Sequence, residues 1–146
     1  ELCRRGTREL TILNRRPSRG EELASMLSHR FPETEISAGE LKTFRMIEKF
    51  RGADLIVQCT SLGLHGEWEN FPVERVEKTT RFADIVYRKG GTALVRCLKR
   101  RGISAIDGLG MLAHQAARSF FLWTGKRVRV EEFLSVAIKK QSQPQE

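Results

Sequence analysis

The chain has 146 residues, 40% of them hydrophobic and 30% charged, which is the size and composition of one globular domain with a buried core. No hydrophobic run approaches the ~20 residues of a membrane span and no signal-peptide pattern is visible, so we expect neither a membrane protein nor a secreted one. The net charge of +8 leaves nucleic-acid binding open, but the basic residues are scattered and form no recognisable nucleic-acid motif.

The first half of the chain is predicted to alternate strands and helices. Glu1–Gly6 has the pattern of a last helical turn that ends at a glycine. A β-forming strand follows over Leu10–Leu13, and Ser18 with Glu21 has the spacing of a capping box for a helix to about Arg30. The next elements predicted are a short strand over Pro32–Ser37, an amphipathic helix over Gly39–Phe50 and a strand over Ala53–Thr60. That last strand is hydrophobic enough to be buried on both faces.

The second half continues the alternation. Its predicted elements are a loop over Ser61–Asn70, an irregular segment over Phe71–Lys78, a strand over Arg81–Tyr87, a helix over Ala93–Arg101, a strand over Ile103–Ile106, helices over Met111–Thr124 and Val130–Lys140, and a polar tail over Gln141–Glu146. Thr92 is expected to cap the first of these helices, and Gly102 and Gly125 to end two of them. Strands that alternate with helices predict an α/β fold with a parallel sheet.

The cysteines and histidines predict no disulfide and no metal site. The three cysteines, Cys3, Cys59 and Cys97, are an odd number without CxxC spacing, which is typical of free thiols in a reducing cytoplasm. The three histidines are far apart in the sequence, and no cysteine is close to any of them: His29, His65 and His114.

A basic turn, Asn14–Arg19, follows the first predicted strand and contains three arginines. At the corresponding strand end of a Rossmann unit, NAD sites carry an acid, whereas NADP sites carry arginine. Arginine is always charged and binds phosphate with two parallel hydrogen bonds. The turn therefore predicts a phosphate site that favours NADP, with a solvated basic turn as the alternative.

A second glycine-containing run fits the dinucleotide fingerprint but is interpreted differently. Gly108–Ala113 matches GxGxxG/A, and Glu131 and Glu132 follow about 20 residues later. Only one more helix and a tail come after it, so no βαβ unit completes a nucleotide-binding half. The two acids are expected to begin the last helix. We therefore reject the run as the dinucleotide loop, and interpret its glycines as allowing close backbone approach.

Four motifs occur in one order over nearly the whole chain. Asn14–Arg19 resembles N-R-T-x-x-R, with Arg16 in place of Thr, and Ala53–Gly63 resembles A-D-L-I-I-N-A-T-x-x-G. Asp84–Tyr87 resembles D-x-x-Y, and Asp107–Gln115 resembles D-G-L-G-M-L-x-x-Q. Together they resemble the C-terminal, NADP-binding half of the shikimate dehydrogenase family. The resemblance implies a Rossmann-like, doubly wound parallel sheet.

The resemblance also implies roles for individual residues. The residues implied to bind the adenosine end of NADP and its 2′-phosphate are Asn14, Arg15, Arg16, Ser18 and Arg19. Those implied for the rest of the cofactor are Thr60, Ser61, Ile85, Gly108, Met111 and Leu112. Tyr87 and Gln115 are implied to reach the substrate. The alternatives are that Met111 and Leu112 belong to the helix core and that Gln115 is a surface residue.

The chain departs from the family pattern in two ways. Gln58-Cys59 replaces Asn-Ala and Arg88-Lys89 replaces Asn-Pro, and either change can shift substrate preference. The family's N-terminal domain, with its catalytic Lys and Asp, has no counterpart, and neither do the first strand and the G-A-G-G loop. We therefore expect residues 1–146 to form a partial NADP-binding domain without catalytic residues. The rest would come from a longer polypeptide or from another chain, and direct pairing of the Leu10–Leu13 strand with the Leu55–Cys59 strand would contradict this.

The resemblance implies NADP-dependent, reversible reduction of 3-dehydroshikimate to shikimate in cytoplasmic aromatic amino-acid biosynthesis. This segment alone is expected to have little or no turnover. One alternative is a related enzyme that acts on quinate, or another NADP oxidoreductase. An alternative of another class is a non-catalytic domain that binds nucleic acid.

Overall fold

The computed structural model of the chain describes residues 1–62, 64 and 71–142. Most of the predicted loop at 61–70, including His65, lies outside the described residues, and so does the end of the predicted tail, 143–146. The chain divides into two compact units, one made of Glu1–Gly52 with the segment 71–75, and the other of the remaining residues. No helix in the described ranges is long and apolar enough to cross a membrane.

The first unit contains a two-stranded parallel sheet. β1 (Glu9–Asn14) pairs with β2 (Glu35–Glu40), in a register that sets Asn14 opposite Glu40. α1 (Pro17–Arg30) connects the two strands, so the three elements form one β–α–β crossover. A short 3-10 turn, Cys3–Arg5, precedes them and ends at Gly6 in the left-handed conformation, as the glycine predicts.

A second helix, α2 (Thr43–Phe50), completes this unit. Its Met46 and Phe50 are buried, and the Phe50 ring lies 5.1 Å from the ring of Phe71. The predicted helix was too long, because its first residues belong to β2. β2 pairs with β1 through Glu40, which lies opposite Asn14.

Two further predictions for this unit were wrong at their boundaries. Ser18 does not cap α1, because the helix already begins at Pro17, whose fixed φ suits the first helical position. Ser18 therefore lies within the first turn. The strand predicted over Pro32–Ser37 begins only at Glu35, because the segment after α1 turns through a hydrogen bond from the Thr34 N–H to the Phe31 carbonyl.

The second unit contains a three-stranded parallel sheet in the order β3 (Leu55–Gln58), β4 (Arg81–Asp84), β5 (Ser104–Ile106). A 3-10 turn, Val73–Arg75, lies in the segment predicted to be irregular or a short helix. The helices of this unit are α3 (Ala93–Arg100), α4 (Leu109–Thr124) and α5 (Val130–Ser142).

α3 covers one face of this sheet. The side chains of Phe82, Leu94 and Leu98 are fully buried and form the core of the unit. The hydroxyl of Thr92 accepts a hydrogen bond from the Val95 N–H and caps α3, as predicted. Gly102 follows α3 with a positive φ, so the predicted stop signal is also confirmed.

The other face of β3 is exposed, which corrects the prediction of a strand buried on both faces. Leu55 and Val57 are each 42% exposed, whereas their neighbours Ile56 and Gln58 are buried. A hydrophobic sequence shows that both faces of a strand can be buried. Each face is buried only where another element packs against it. Helix α4 also starts earlier than predicted, at Leu109 instead of Met111.

β1 and β3 each have a single strand partner among the described residues. Within the described ranges β1 pairs only with β2, and β3 pairs only with β4. Direct pairing of β1 with β3, which would have contradicted the expectation, does not occur among these residues. Each of the two strands therefore keeps one edge whose backbone groups have no strand partner in the described chain.

Candidate functional site

The basic turn lies where β1 ends and α1 begins. Asn14 is the last residue of β1, and its Oδ1 accepts a hydrogen bond of 2.9 Å from the backbone N–H of Arg16. This bond is local and gives the turn a defined shape before any ligand binds. Gly20, in the first turn of α1, is buried, and a Cβ on it would lie 3.5 Å from the Cβ of Ala38. The start of the helix therefore packs closely on the strands.

The three arginines of the turn have no acidic partner in the part of the chain that the structure describes. Arg15, Arg16 and Arg19 are exposed, and none of the ion pairs among the described residues involves them. The nearby carboxylate of Glu40 is already paired with Lys42 at 2.7 Å. Ser18 is exposed beside them in the first helical turn. A helix N-terminus with unpaired guanidinium groups is a favourable place for a phosphate.

In the second unit, the loop after β3 is fixed by a buried glutamine. Gln58 is 5% exposed, and its Nε2 donates to the Leu62 carbonyl at 2.9 Å and to the Thr60 carbonyl at 3.3 Å. Its Oε1 accepts from the Thr60 N–H. The Thr60 Oγ1 in turn accepts from the Leu62 N–H at 3.1 Å. The loop that carries Thr60 and Ser61 is therefore folded around one amide side chain.

The turn after β4 is fixed by a buried carboxylate. Asp84 is 3% exposed; its Oδ1 accepts from the Val86 N–H at 2.9 Å, and its Oδ2 accepts from the Thr92 hydroxyl at 3.0 Å. The bond to Val86 takes that amide out of the strand ladder, which is why β4 ends at Asp84 and not at Tyr87 as predicted. Gln58 Nε2 also donates to Asp84 Oδ1, at 3.4 Å.

Burial shifts the pKa of this carboxylate and of a nearby thiol. Burial raises the pKa of Asp84 above its usual range, the hydrogen bonds from Val86 and Thr92 oppose that shift, and the charge of Asp107 adds to it. Burial also raises the pKa of the Cys59 thiol, with a further contribution from the charge of Asp84. The raised pKa keeps the Cys59 thiol protonated, so Cys59 is not a reactive thiolate.

The turn after β5 is held against the turn after β4 by Gly108. Its backbone N–H donates to the Val86 carbonyl at 3.0 Å, and a Cβ on Gly108 would lie 2.0 Å from the Ile85 carbonyl oxygen. The side chain of Asp107 accepts from the Leu109 N–H at 3.1 Å where α4 begins. The close backbone approach expected of these glycines is therefore made to the protein itself, at Gly108. A Cβ on Gly110 would meet nothing within 4 Å.

The second unit brings most of the predicted residues to the ends of its three parallel strands. Ile85, Tyr87 and Met111 are 36%, 43% and 45% exposed, so Met111 is not part of a helix core among the described residues. The others are exposed or half-buried on the same loops and on α4: Thr60, Ser61, Leu112 and Gln115. The carboxyl ends of parallel strands are where α/β folds bind ligands.

The residues that hold these loops together carry no signal in the sequence that marks them for this role. Gln58 stands out in the sequence only as a departure from the motif at Ala53–Gly63. Asp84 stands out only as the first residue of D-x-x-Y. Thr92 was predicted to cap α3 but not to hydrogen-bond Asp84. In the described chain, no three His, Cys, Asp or Glu side chains group where they could hold a metal ion.

Known sequences match this chain over most of its length. The family described as Shikimate 5'-dehydrogenase C-terminal domain matches residues 108–137. The shikimate dehydrogenase (NADP(+)) of Brucella abortus strain S19 is 34% identical over 142 residues, which cover 91% of this chain and 45% of that protein. The chain spans about half the length of the curated relatives it matches.

Solved structures share the fold. Shikimate 5-dehydrogenase from Thermus thermophilus, in complex with shikimate, is 30% identical with a TM-score of 0.70, over 96% of this chain and 48% of that one. Quinate dehydrogenase from Corynebacterium glutamicum, in complex with NAD, has a TM-score of 0.82 at 23% identity, over 94% of this chain and 49% of that one, which shows the fold alone. The Rossmann-like fold and the resemblance to the C-terminal half of the family are confirmed.

Proposed function

We propose that the chain, which corresponds to the C-terminal half of a shikimate dehydrogenase, supplies the NADP-binding part of an enzyme that reversibly reduces 3-dehydroshikimate to shikimate. The observation that carries the proposal is the basic turn, where Arg15, Arg16 and Arg19 have no acidic partner among the described residues. A phosphate on the ribose would supply the missing negative charge. An NAD-type site would need an acid at this strand end, and the sequence has Asn14 there.

Each unit, taken by itself, has residues of the types that one end of NADP needs. Asn14, Ser18 and the three arginines would hold the adenosine end, by charge and by hydrogen bonds. The other cofactor residues lie on the loops after β3, β4 and β5 or at the start of α4: Thr60, Ser61, Ile85, Gly108, Met111 and Leu112. The half-buried and exposed apolar side chains among them suit a flat nicotinamide ring. When bound, NADPH would supply the hydride for the reduction, NADP⁺ would accept it in the reverse direction, and the protein would position and shield the nicotinamide.

Substrate binding and proton transfer would be shared with parts outside this chain. Tyr87 can offer a hydroxyl to the substrate, and Gln115 can offer an amide that donates and accepts. We assign the catalytic Lys and Asp, the first strand and the glycine-rich phosphate loop to an N-terminal part, in the same polypeptide or in another chain. The three cysteines are free thiols, which favours a reducing cytoplasm as the location.

The test compares two samples in the same assay. The native polypeptide that contains this chain and the 146-residue chain alone are each mixed with shikimate and NADP⁺ or NAD⁺, and reduced cofactor is measured. We expect turnover by the native polypeptide with NADP⁺ and little or none by the chain alone. Robust activity of the chain alone would contradict the assignment of catalysis to the N-terminal part.

Two further arms separate the alternatives. Replacing shikimate by quinate tests whether the sister reaction is preferred, which matters because Gln58 and Arg88 depart from the family motifs. A titration with DNA and RNA at several salt concentrations tests the nucleic-acid alternative. Salt-dependent binding that NADP⁺ does not displace, together with no turnover of either substrate, would overturn the proposed function.

A further inference from the structure

We infer that Gln58 and Asp84 are positioning residues that fix the Thr60–Leu62 loop and the Ile85–Tyr87 turn, and that through them Gln58 sets the affinity for NADP. The inference rests on the proposed function, because these two segments carry residues assigned to the cofactor and the substrate. Neither Gln58 nor Asp84 is assigned a contact with either ligand. Both side chains are buried, at 5% and 3% exposure, and each hydrogen-bonds a backbone group of the segment that follows it.

The amide of Gln58 organises its own loop. One end accepts from the Thr60 N–H, and the other donates to the carbonyls of Thr60 and Leu62. A buried amide whose two ends have opposite partners cannot rotate without leaving both unsatisfied. The orientation of the Thr60 and Ser61 peptides is therefore tied to one side chain.

Asp84 extends this control to the neighbouring turn. Its carboxylate receives hydrogen bonds from Gln58, from the Val86 N–H and from the Thr92 hydroxyl, at the start of α3. The Ile85 N–H also donates to the Gln58 backbone carbonyl at 3.0 Å. The two loops are thus joined through one buried pair, and the turn that carries Tyr87 is anchored to that pair.

Gln58 gives the chain a loop geometry that asparagine cannot reproduce. An asparagine amide ends one carbon–carbon bond closer to the backbone, by about 1.5 Å. The 2.9 Å bond to the Leu62 carbonyl would then be lost unless the loop moved. We therefore expect that glutamine in place of the motif's asparagine changes the shape of the cofactor loop and is not a neutral replacement.

Hydrogen–deuterium exchange of the native polypeptide, followed by mass spectrometry, tests the positioning directly. With Gln58→Leu, we expect peptides that cover 58–62 to exchange at least tenfold faster, and peptides that cover β5 to be unchanged. Gln58→Asn should give an intermediate increase. Unchanged exchange over 58–62, or an increase spread over the whole unit, would overturn the positioning role.

Affinity and turnover are measured on the same variants. We expect Gln58→Leu to raise the KM for NADP⁺ and the Kd for NADPH about tenfold, with kcat changed less than threefold, and Gln58→Asn to restore part of the loss. A merely structural role would lower the active fraction and leave both constants unchanged. Asp84→Asn should raise exchange over 84–88 and spare 58–62 more than Gln58→Leu does.

The control is Thr80→Val, which removes another buried polar group of the same unit. The Thr80 hydroxyl is buried and has no hydrogen-bond partner among the described residues, so its removal should not speed exchange over 58–62 and should leave both constants unchanged. If the native polypeptide binds no NADPH, the proposed function fails and the affinity claim fails with it. Exchange over 58–62 still decides the positioning claim in that case, so the two failures are distinguishable.

Discussion

Gly108 and Ile85 are in direct backbone contact. A methyl group on Gly108 would lie 2.0 Å from the Ile85 carbonyl oxygen and 2.6 Å from its carbonyl carbon. Backbone atoms of a strand end cannot move aside as the tip of a flexible side chain can. The contact joins the turn after β4 to the start of α4, so one glycine fixes the distance between two loops that carry predicted site residues.

Gly108→Ala should therefore destabilise the second unit. We expect a loss of at least about 1–3 kcal/mol, the range of overpacking in a well-packed interior, measured as a lower midpoint in urea. Gly110→Ala is the matched control, because a methyl group there meets nothing within 4 Å and lies inside α4. It should be neutral or stabilising, by up to about 1 kcal/mol. Equal losses in both variants would show that the contact with Ile85 is not the cause.

Thr80→Val should stabilise the protein. The Thr80 side chain is 1% exposed, and its hydroxyl is buried without a hydrogen-bond partner in the described part of the chain. Valine keeps the shape and removes the unsatisfied polar atom, which is worth about 1–3 kcal/mol for a buried group. Thermal or urea unfolding measures the gain. A lower midpoint would indicate that the hydroxyl is satisfied in the native protein.

Asp84 should make the protein less stable as the pH rises. Burial raises the pKa of this carboxyl in the folded state, so the folded state holds the proton more tightly than the unfolded state does. The contribution of Asp84 to stability is therefore complete below the ordinary Asp pKa. It is lost as the pH rises from that value through the raised folded-state value.

Asp84→Asn removes this titration and keeps a side chain of the same shape. Unfolding in urea is measured at pH values from below the ordinary Asp pKa up to neutrality. The free energy of unfolding of the variant should rise relative to that of the parent protein as the pH rises. Asp107→Asn is a useful comparison, because it removes the neighbouring charge that also raises the pKa of Asp84. A difference between variant and parent that is independent of pH would contradict the raised pKa.

Local signals in the sequence were enough for the features that depend on local contacts. The cap at Thr92 and the helix end at Gly102 were predicted because each depends on residues within one turn. The exposed face of β3 was not predicted, because burial of Leu55 depends on what covers it. The Gln58–Asp84 bond joins residues 26 positions apart, and no spacing in the sequence indicates it. The site residues came from motifs, whereas the residues that hold them came only from the structure.

The choice between NADP and NAD should depend on Arg15 and Arg19. Both guanidinium groups are exposed beside the N-terminus of α1, and neither takes part in an ion pair among the described residues. A charged hydrogen bond is worth about 1.5–3 kcal/mol, and about 1.4 kcal/mol is tenfold in affinity. Changing both to alanine in the native polypeptide should therefore weaken NADPH binding about 100-fold or more. NADH binding should change less than about threefold, because NADH has no 2′-phosphate.

Fluorescence titration with NADPH and NADH measures both constants, and 2′,5′-ADP as a competitor isolates the adenosine end. Arg45→Ala is the control for the loss of a guanidinium group: it removes one positive charge from the same unit, but Arg45 is paired with Glu48 on α2 at 3.3 Å, away from the basic turn in the sequence. It should leave the ratio of the two constants unchanged. Equal losses for NADPH and NADH in the double variant would mean that the arginines support the fold or the pyrophosphate, and that the 2′-phosphate is recognised elsewhere.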